Sequence, residues 1–264
     1  MNVKAKLFCV FIVAAVTVIV SGCASSGYSP MEAPSLPKQW FIGASAGYSV
    51  NTTGGEFHSL TANPDCGGFT GGSGSGVAVG IDAEYLLKQD LHAASGINLR
   101  LTYEQKPGTF TTVYGPVQFF NAATSQPEDV VENHIADITY NVLNARLMYV
   151  YAVPHTMVGV ELGPSIGIVS ALNVKQHLQI DQSASPGVTF YGGQTDSTIY
   201  NTDPSTKNGI RFGLWAGADY RFDAGEWVIA PFLGYDLGLT KALSTASWSI
   251  SSIIVGVDLR YGLK

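Results

Sequence analysis

Apolar side chains alternate with glycine, serine and charge along most of this chain. That period of two constrains the fold more than any other feature. Trp40, Ile42, Ala44, Ala46 and Tyr48 are interleaved with Gly43, Ser45 and Gly47. Val77, Val79, Ile81, Ala83 and Tyr85 stand against Gly80, Asp82 and Glu84. Val158, Val160, Leu162, Ile166 and Ile168 stand against Gly159, Glu161, Gly163, Ser165 and Gly167. Alternate side chains of a strand point to opposite faces. A soluble barrel of the lipocalin kind turns its apolar face inward. Here the apolar face is bulky and the other is small or charged, which suits a wall with lipid outside and a polar lumen within.

Eight segments follow this pattern, at 39–50, 75–87, 91–104, 136–152, 156–170, 209–223, 226–239 and 249–263. Each reaches the 9–11 or so residues that a membrane strand needs. The fourth changes phase, with Ile138, Tyr140 and Val142 in one register and Leu143, Ala145 and Leu147 in the other. A β-bulge near Val142 would account for it. Connections alternate between long (51–74, 105–135, 171–208), medium (240–248) and short (88–90, 153–155, 223–225). Long loops on one side and short turns on the other are the rhythm of an outer-membrane barrel, with both chain ends in the periplasm. The fold class expected is all-β, a closed antiparallel eight-stranded transmembrane β-barrel over 39–264. Two hairpins are expected in the loops: 109–114 with 117–120 about Gly115-Pro116, and 174–180 with 188–191. Ten strands would result if either entered the membrane.

The rows resemble the small outer-membrane barrels of the OmpA/OmpX type. Gly159-Val160-Glu161-Leu162-Gly163-Pro164 and Ala230-Pro231-Phe232-Leu233-Gly234-Tyr235 carry the likeness. So does the closing Val257-Asp258-Leu259-Arg260-Tyr261-Gly262-Leu263-Lys264, which lacks the usual terminal aromatic. The resemblance implies a surface barrel in lipid and lipopolysaccharide.

Residues 1–22 read as a signal peptide, with Lys4 and Lys6 before an apolar run from Leu7 to Val20. Val20-Ser21-Gly22-Cys23 resembles a lipobox, which would place a lipid on Cys23; plain cleavage after Ala24 is the alternative. Residues 23–38, with Pro30, Pro34 and Pro37, read as a tether. Charged residues are 13% of the chain, where about 25% is usual for soluble domains. The net charge of −6 argues against a nucleic-acid partner. Of the 3 cysteines, Cys9 falls in the signal and Cys66 alone in the first long loop, so no intramolecular disulfide is expected if Cys23 is lipidated.

Charge falls on the inward phase. Asp82, Glu84, Arg100, Glu104, Arg146, Glu161, Arg211, Asp219, Arg221, Asp236, Asp258 and Arg260 all do so. An eight-stranded lumen is just wide enough for side chains to fill. Unpaired charge there is costly, so a network of guanidinium forks on carboxylates is expected. Counting from the turns puts Arg146 and Glu161 at one height and Arg100 higher. A structural plug and a narrow ion path past small inner residues both fit this list.

Chemistry of other kinds is not indicated. His58, His92, His134, His155 and His177 lack metal-motif spacing and are expected in loops or at a rim. His58-Ser59 falls in a glycine-rich loop rather than on a lipid-facing strand. Gly67 to Gly74 lacks a Gly-Lys-Ser/Thr ending and reads as flexible loop. Glu128, Asp129 and Glu132 form an acidic cluster, a solvated patch or a divalent-cation trap. The expectation is no metal, no cofactor, no catalytic site and no enzyme. The role expected is structural or adhesive, with loops 51–74, 105–135 and 171–208 offered to an extracellular protein. Transport through a porin-like lumen is the alternative, and lipid modification the third.

Overall fold

The computed structural model describes residues 39–57, 68–90, 93–121, 126–154, 156–190 and 192–263. The signal, the tether, Cys23, His58, Cys66, His92 and His155 lie outside the described residues. Among the described residues eleven strands form one antiparallel sheet: β1 (Trp40–Phe57), β2 (Phe69–Asp90), β3 (Ala93–Gln105), β4 (Gly108–Asn121), β5 (Gln126–Ala152), β6 (Val158–Ile180), β7 (Asp196–Thr202), β8 (Ile210–Tyr220), β9 (Phe222–Ala224), β10 (Trp227–Gly238) and β11 (Ser249–Leu263). Eight of them close a ring. β1 pairs with β2, β2 with β3, β3 with β5, β5 with β6, β6 with β8, β8 with β10, β10 with β11, and β11 returns to β1. β9 continues β8 past Arg221 along β10. No edge is left open through the ring, which is the condition for strands to cross lipid.

The dyad follows the ladder. On β1 the outward residues run from Trp40 to Val50 and meet Leu263 to Ile253 of β11. Ten steps of about 3.4 Å on a tilted strand give an apolar band roughly 25 Å tall. Rings mark its lower rim: Trp40 lies 4.7 Å from Tyr85, Tyr220 4.8 Å from Phe222, and Trp227 5.0 Å from Tyr261. Tyr48 and Tyr235 are exposed nearer the other rim.

Above the band, strands do what loops were expected to do. β4 and β3 form one line along β5, interrupted at Lys106-Pro107; β5 pairs with β3 over 141–151 and with β4 over 126–138. β7 likewise continues the line of β8 along β6. A four-stranded sheet, β4-β5-β6-β7, therefore rises out of the barrel wall. Neither β4 nor β7 enters the ring, so the count stays at eight.

Several local expectations are corrected. Residues 109–114 and 117–120 are not two arms of a hairpin. They are one strand, β4, with a register shift at Gly115-Pro116, and β5 is its partner. Residues 174–180 end β6 and pair with β5 and β7, while Val188 packs on Val130 and Ile180. Residues 69–74 are not flexible loop but the start of β2, paired with β1. The phase change in β5 is not a bulge either. Even-numbered residues face inward along the whole of β5. Leu143, Ala145 and Leu147 face lipid, and Ile138, Tyr140 and Val142 face an apolar interior above the band. The bulge is one strand away, where Ser170 of β6 is left over between Ala171 and Val169.

That interior is a conventional core. Phe69, Phe110, Ala136, Ile138, Tyr140, Val142, Val169, Leu172, Val174, Leu243, Trp248 and Ile250 pack together, with Phe110 edge-on to Trp248 at 5.8 Å. Water surrounds the strands here, so the apolar residues turn in and the polar ones out.

Candidate functional site: a filled lumen and a raised sheet

Inside the membrane band the lumen holds two charge clusters separated by aromatic rings. In the lower one, Arg260 touches five carboxylates. Its Nη1 lies 2.6 Å from Glu84 and 3.3 Å from Asp219, its Nη2 2.6 Å from Asp258 and 3.3 Å from Glu161, and its Nε 3.2 Å from Asp82. Arg221 bridges Glu84 at 3.0 Å and Asp219 at 3.2 Å. Arg100 reaches Asp258 at 2.5 Å and Glu161 at 3.4 Å. In the upper cluster Arg146 donates to Glu104 and lies 3.4 Å from Asp236. Arg211 meets Asp236 at 3.1 Å. Every residue singled out for the lumen faces it, and all but Arg221 are buried.

The pairing differs from the count made along the sequence. Arg146 stands opposite Ser165, and Glu161 opposite Val150, so the two are not level. Arg146 stacks on Trp215, with 4.4 Å to the ring, and the indole Nε1 donates to Glu161 at 3.2 Å. The link between them is therefore one aromatic ring. Arg100, expected higher, works in the lower cluster. Strands in a barrel are tilted and staggered, so counting from a turn gives height along one strand but not around the wall.

Sequence reading missed Lys106. Its ammonium is fully buried, 2.8 Å from Asp236, 2.9 Å from Glu104 and 2.8 Å from Ser252 Oγ. The signal was present: Arg100, Thr102, Glu104 and Lys106 continue one inward dyad past the expected end of the strand. Asn51 and Asn98 were missed as well. Asn51 accepts from Ser252 at 2.8 Å, and Asn98 donates to Asp82 at 3.4 Å.

The small inner residues leave room for neighbours. A Cβ on Gly234 would overlap the indole of Trp215. One on Gly43 would press on Asp82 and Arg260, and one on Gly159 would overlap the Asp219 carboxylate. Trp215, Phe232, Met148, Ile254 and Ala78 fill the middle. At the turn end a cavity of about 260 Å³ reaches Glu84, Arg221, Asp223 and Arg260.

The histidines are not simply solvated. His134 is buried, 3.4 Å from Glu132, with its ring 5.1 Å from that of Tyr114. His177 lies between Asp196 at 2.5 Å and Asp137 at 3.4 Å. Glu132 points inward while Asp129 is exposed, so the acidic cluster read from the sequence is split across two faces. Among the described residues no group of three His, Cys, Asp or Glu side chains is placed to hold a metal ion.

No protein-family model and no curated protein matches the chain. Solved structures of outer-membrane barrels do. One is Ail, the attachment invasion locus protein of Yersinia pestis, in complex with the heparin analogue sucrose octasulfate. It is 12% identical, with 84% of this chain and 99% of that chain covered and a TM-score of 0.34. Neisserial surface protein A is 12% identical over 85% and 97%, with a TM-score of 0.31. The outer membrane protease OmpT from Escherichia coli is 7% identical over 87% and 99%, with a TM-score of 0.34. At these scores the likeness carries no argument for this chain's architecture or role; the barrel rests on its own ring of strands. One expectation nevertheless changes. A protease stands among the similar barrels, so a barrel pattern does not exclude an enzyme, and that exclusion is withdrawn.

Proposed function

We propose that this is a surface barrel of the bacterial outer membrane, set among its lipids and lipopolysaccharide, that presents the β4-β5-β6-β7 sheet to an extracellular protein. The observation that carries the reading is the sheet itself. It stands above the apolar band on its own core. Among the described residues, β7 pairs with β6 alone, and β4 pairs with β5 alone beyond Phe110. Unpaired edges offer backbone donors and acceptors to an incoming strand. The outward charges of this end are mostly acidic, with Asp129, Asp137, Asp181, Asp196 and Asp203 against Lys175, Lys207 and Lys241. A partner with a basic face fits better than a polyanion.

Replacing residues 114–132 with a short turn would join Val113 to Asn133, which are already paired. Cells carrying that barrel should lose adhesion to surfaces coated with basic protein, while the shortened barrel still folds. Undiminished adhesion would overturn the reading. With the chain ends in the periplasm, the raised sheet is open to protease on intact cells. The filled lumen makes stable ion conductance unexpected. Lipidation at Cys23 would tie residues 24–38 to the inner leaflet; mass spectrometry of the mature N-terminus decides between that and simple cleavage.

A further inference from the structure

β7 is the short edge of the raised sheet. It runs seven residues and pairs with β6 through 174–179. A row of side chains from four strands reaches it at Asp196, its first residue and upper end. Thr109 Oγ1 of β4 donates to Asp137 Oδ1 of β5 at 2.8 Å. Asp137 Oδ2 lies 3.4 Å from Nε2 of His177 on β6. His177 Nδ1 lies 2.5 Å from Asp196 Oδ2 on β7. The row faces outward above the lipid band. His177 is largely covered, and the two carboxylates are nearly half exposed.

A neutral imidazole has one N–H and one lone pair. If Nδ1 carries the proton, Asp196 is bonded and the lone pair of Nε2 faces Asp137. If Nε2 carries it, the lone pair of Nδ1 meets Asp196 at 2.5 Å. Each tautomer sets one carboxylate against a lone pair. Only the imidazolium carries a proton on both sides: Nδ1 bonds Asp196, while Nε2, buried and without a hydrogen-bond partner among the described residues, meets Asp137 as an ion pair alone. Histidine is the side chain that ordinarily changes charge between about pH 5 and 8.

We infer that His177 is a proton-operated latch: charged, it ties the edge strand β7 through β6 to β5, and neutral, it releases one side of that tie. This rests on the reading of the raised sheet as the presenting surface, and it names how that surface is regulated. The groups that face the imidazole settle the sign. β5 brings Asp137 and β7 brings Asp196. β6 itself carries Lys175, whose register partner is Asp137. β4 brings Thr109 and no charge. The charged ring answers both carboxylates and the neutral ring only one, so acid tightens β7 and alkali loosens it. Glu132 and His134 lie on the opposite, inward face of β5 and are not part of the row.

The test is amide hydrogen exchange of the full chain in lipid bilayers at about pH 5 and about pH 8, corrected for the intrinsic rate. The β7 amides that pair with β6 should be protected roughly two- to fivefold more in acid, the span that a partly exposed ion pair gives. His177→Gln should flatten that response, and so should Asp196→Asn, which leaves the histidine in place. His134→Gln should keep it. Equal protection of wild-type β7 at both pH values would overturn the latch, as would a response that survives His177→Gln. Adhesion that ignores the shortened sheet would sink the surface reading and leave the exchange result standing. Flat exchange with sheet-dependent adhesion would sink the latch alone.

Discussion

Below the level where Leu143 pairs with Ile168, this barrel is apolar outside and charged inside. Above it the same strands are polar outside and apolar inside. β5 and β6 cross the boundary by different means. β5 keeps its inward parity and exchanges which parity is apolar, from odd at Leu143 to even at Val142. β6 keeps its apolar residues aligned with each environment by spending one extra residue at Ser170. The solvent on the outer face decides what the inner face must be. Lipid outside leaves the lumen to polar groups, which must then satisfy one another. Water outside returns the interior to ordinary apolar packing. The two halves should therefore fail in different ways.

The largest effect is expected at Arg260. Arg260→Ala leaves five carboxylates facing one another in a buried layer, with Arg100 and Arg221 as the cations that reach them among the described residues and Asn98 and Trp215 as neutral donors. Removing one partner of a buried ion pair costs roughly 3–5 kcal/mol, less where lumen water remains. Arg146→Ala should cost less, since Glu104 and Asp236 keep Lys106 and Asp236 keeps Arg211. Denaturant midpoints of the barrel in bilayers would show both drops. Glu128→Ala on the raised sheet serves as the reference. Equal midpoints for Arg260→Ala and Glu128→Ala would mean a wet lumen whose charges do not lock the wall.

The upper half should break by cavity instead. Trp248 is wholly buried against Phe110. Trp248→Ala should cost about 3–5 kcal/mol locally. The loss should fall on the raised sheet, read as protease clipping of β4 to β7 while the membrane ring stays folded. Cooperative loss of the whole barrel would show that the two halves are one unit. The boundary itself can be sharpened with neighbours in sequence. Lys at position 143 points to the rim of the lipid band, where it costs about 0–1 kcal/mol. Lys at position 142 points into the apolar core without a partner. Val142→Lys should therefore be the worse of the pair by at least about 2 kcal/mol, and similar midpoints would refute the parity assigned to β5.

The sequence displays this boundary without saying what it is. The change of phase at 142 and 143 is visible in the residues alone. Its meaning depends on where the lipid ends, which the residues do not state. The ring is legible because all eight crossings repeat one local dyad. β4 was not legible as a strand because its partner residues, 126–138, are set by β5 running beyond the membrane. Gly115-Pro116 looked like a hairpin turn and is a shift of register within one strand. Lumen membership was legible from parity, and Lys106 shows that the parity ran further than the reading followed it. Lumen pairing was not legible, because Arg100 and Asp258 meet across the barrel between strands that share no ladder. His177 was invisible as a site for the same reason: its two aspartates come from strands before and after its own.

The smallest effect, and the one that sets the sign of the latch in relief, is at Asp181. This residue lies half-exposed at the tip of the raised sheet. The Ser183 hydroxyl donates to its Oδ1 at 2.6 Å and the Ser183 backbone N–H at 2.9 Å, with the Ala184 N–H adding to them. These donors hold its carboxyl below the ordinary aspartate range. A group whose folded pKa is depressed contributes stability above its unfolded pKa and loses it as pH falls through the folded value. The turn over 181–185 should thus be tight at neutral pH and loosen only below about pH 4. Acid should act on the two places in opposite directions and in separate windows. Between about pH 8 and pH 5, protection of β7 should rise while the turn stays unchanged. Below that, the turn should open, and Asp181→Asn should remove the second transition without touching the first. One common transition at both places would mean that the tip moves as a single body and that neither group acts on its own strand.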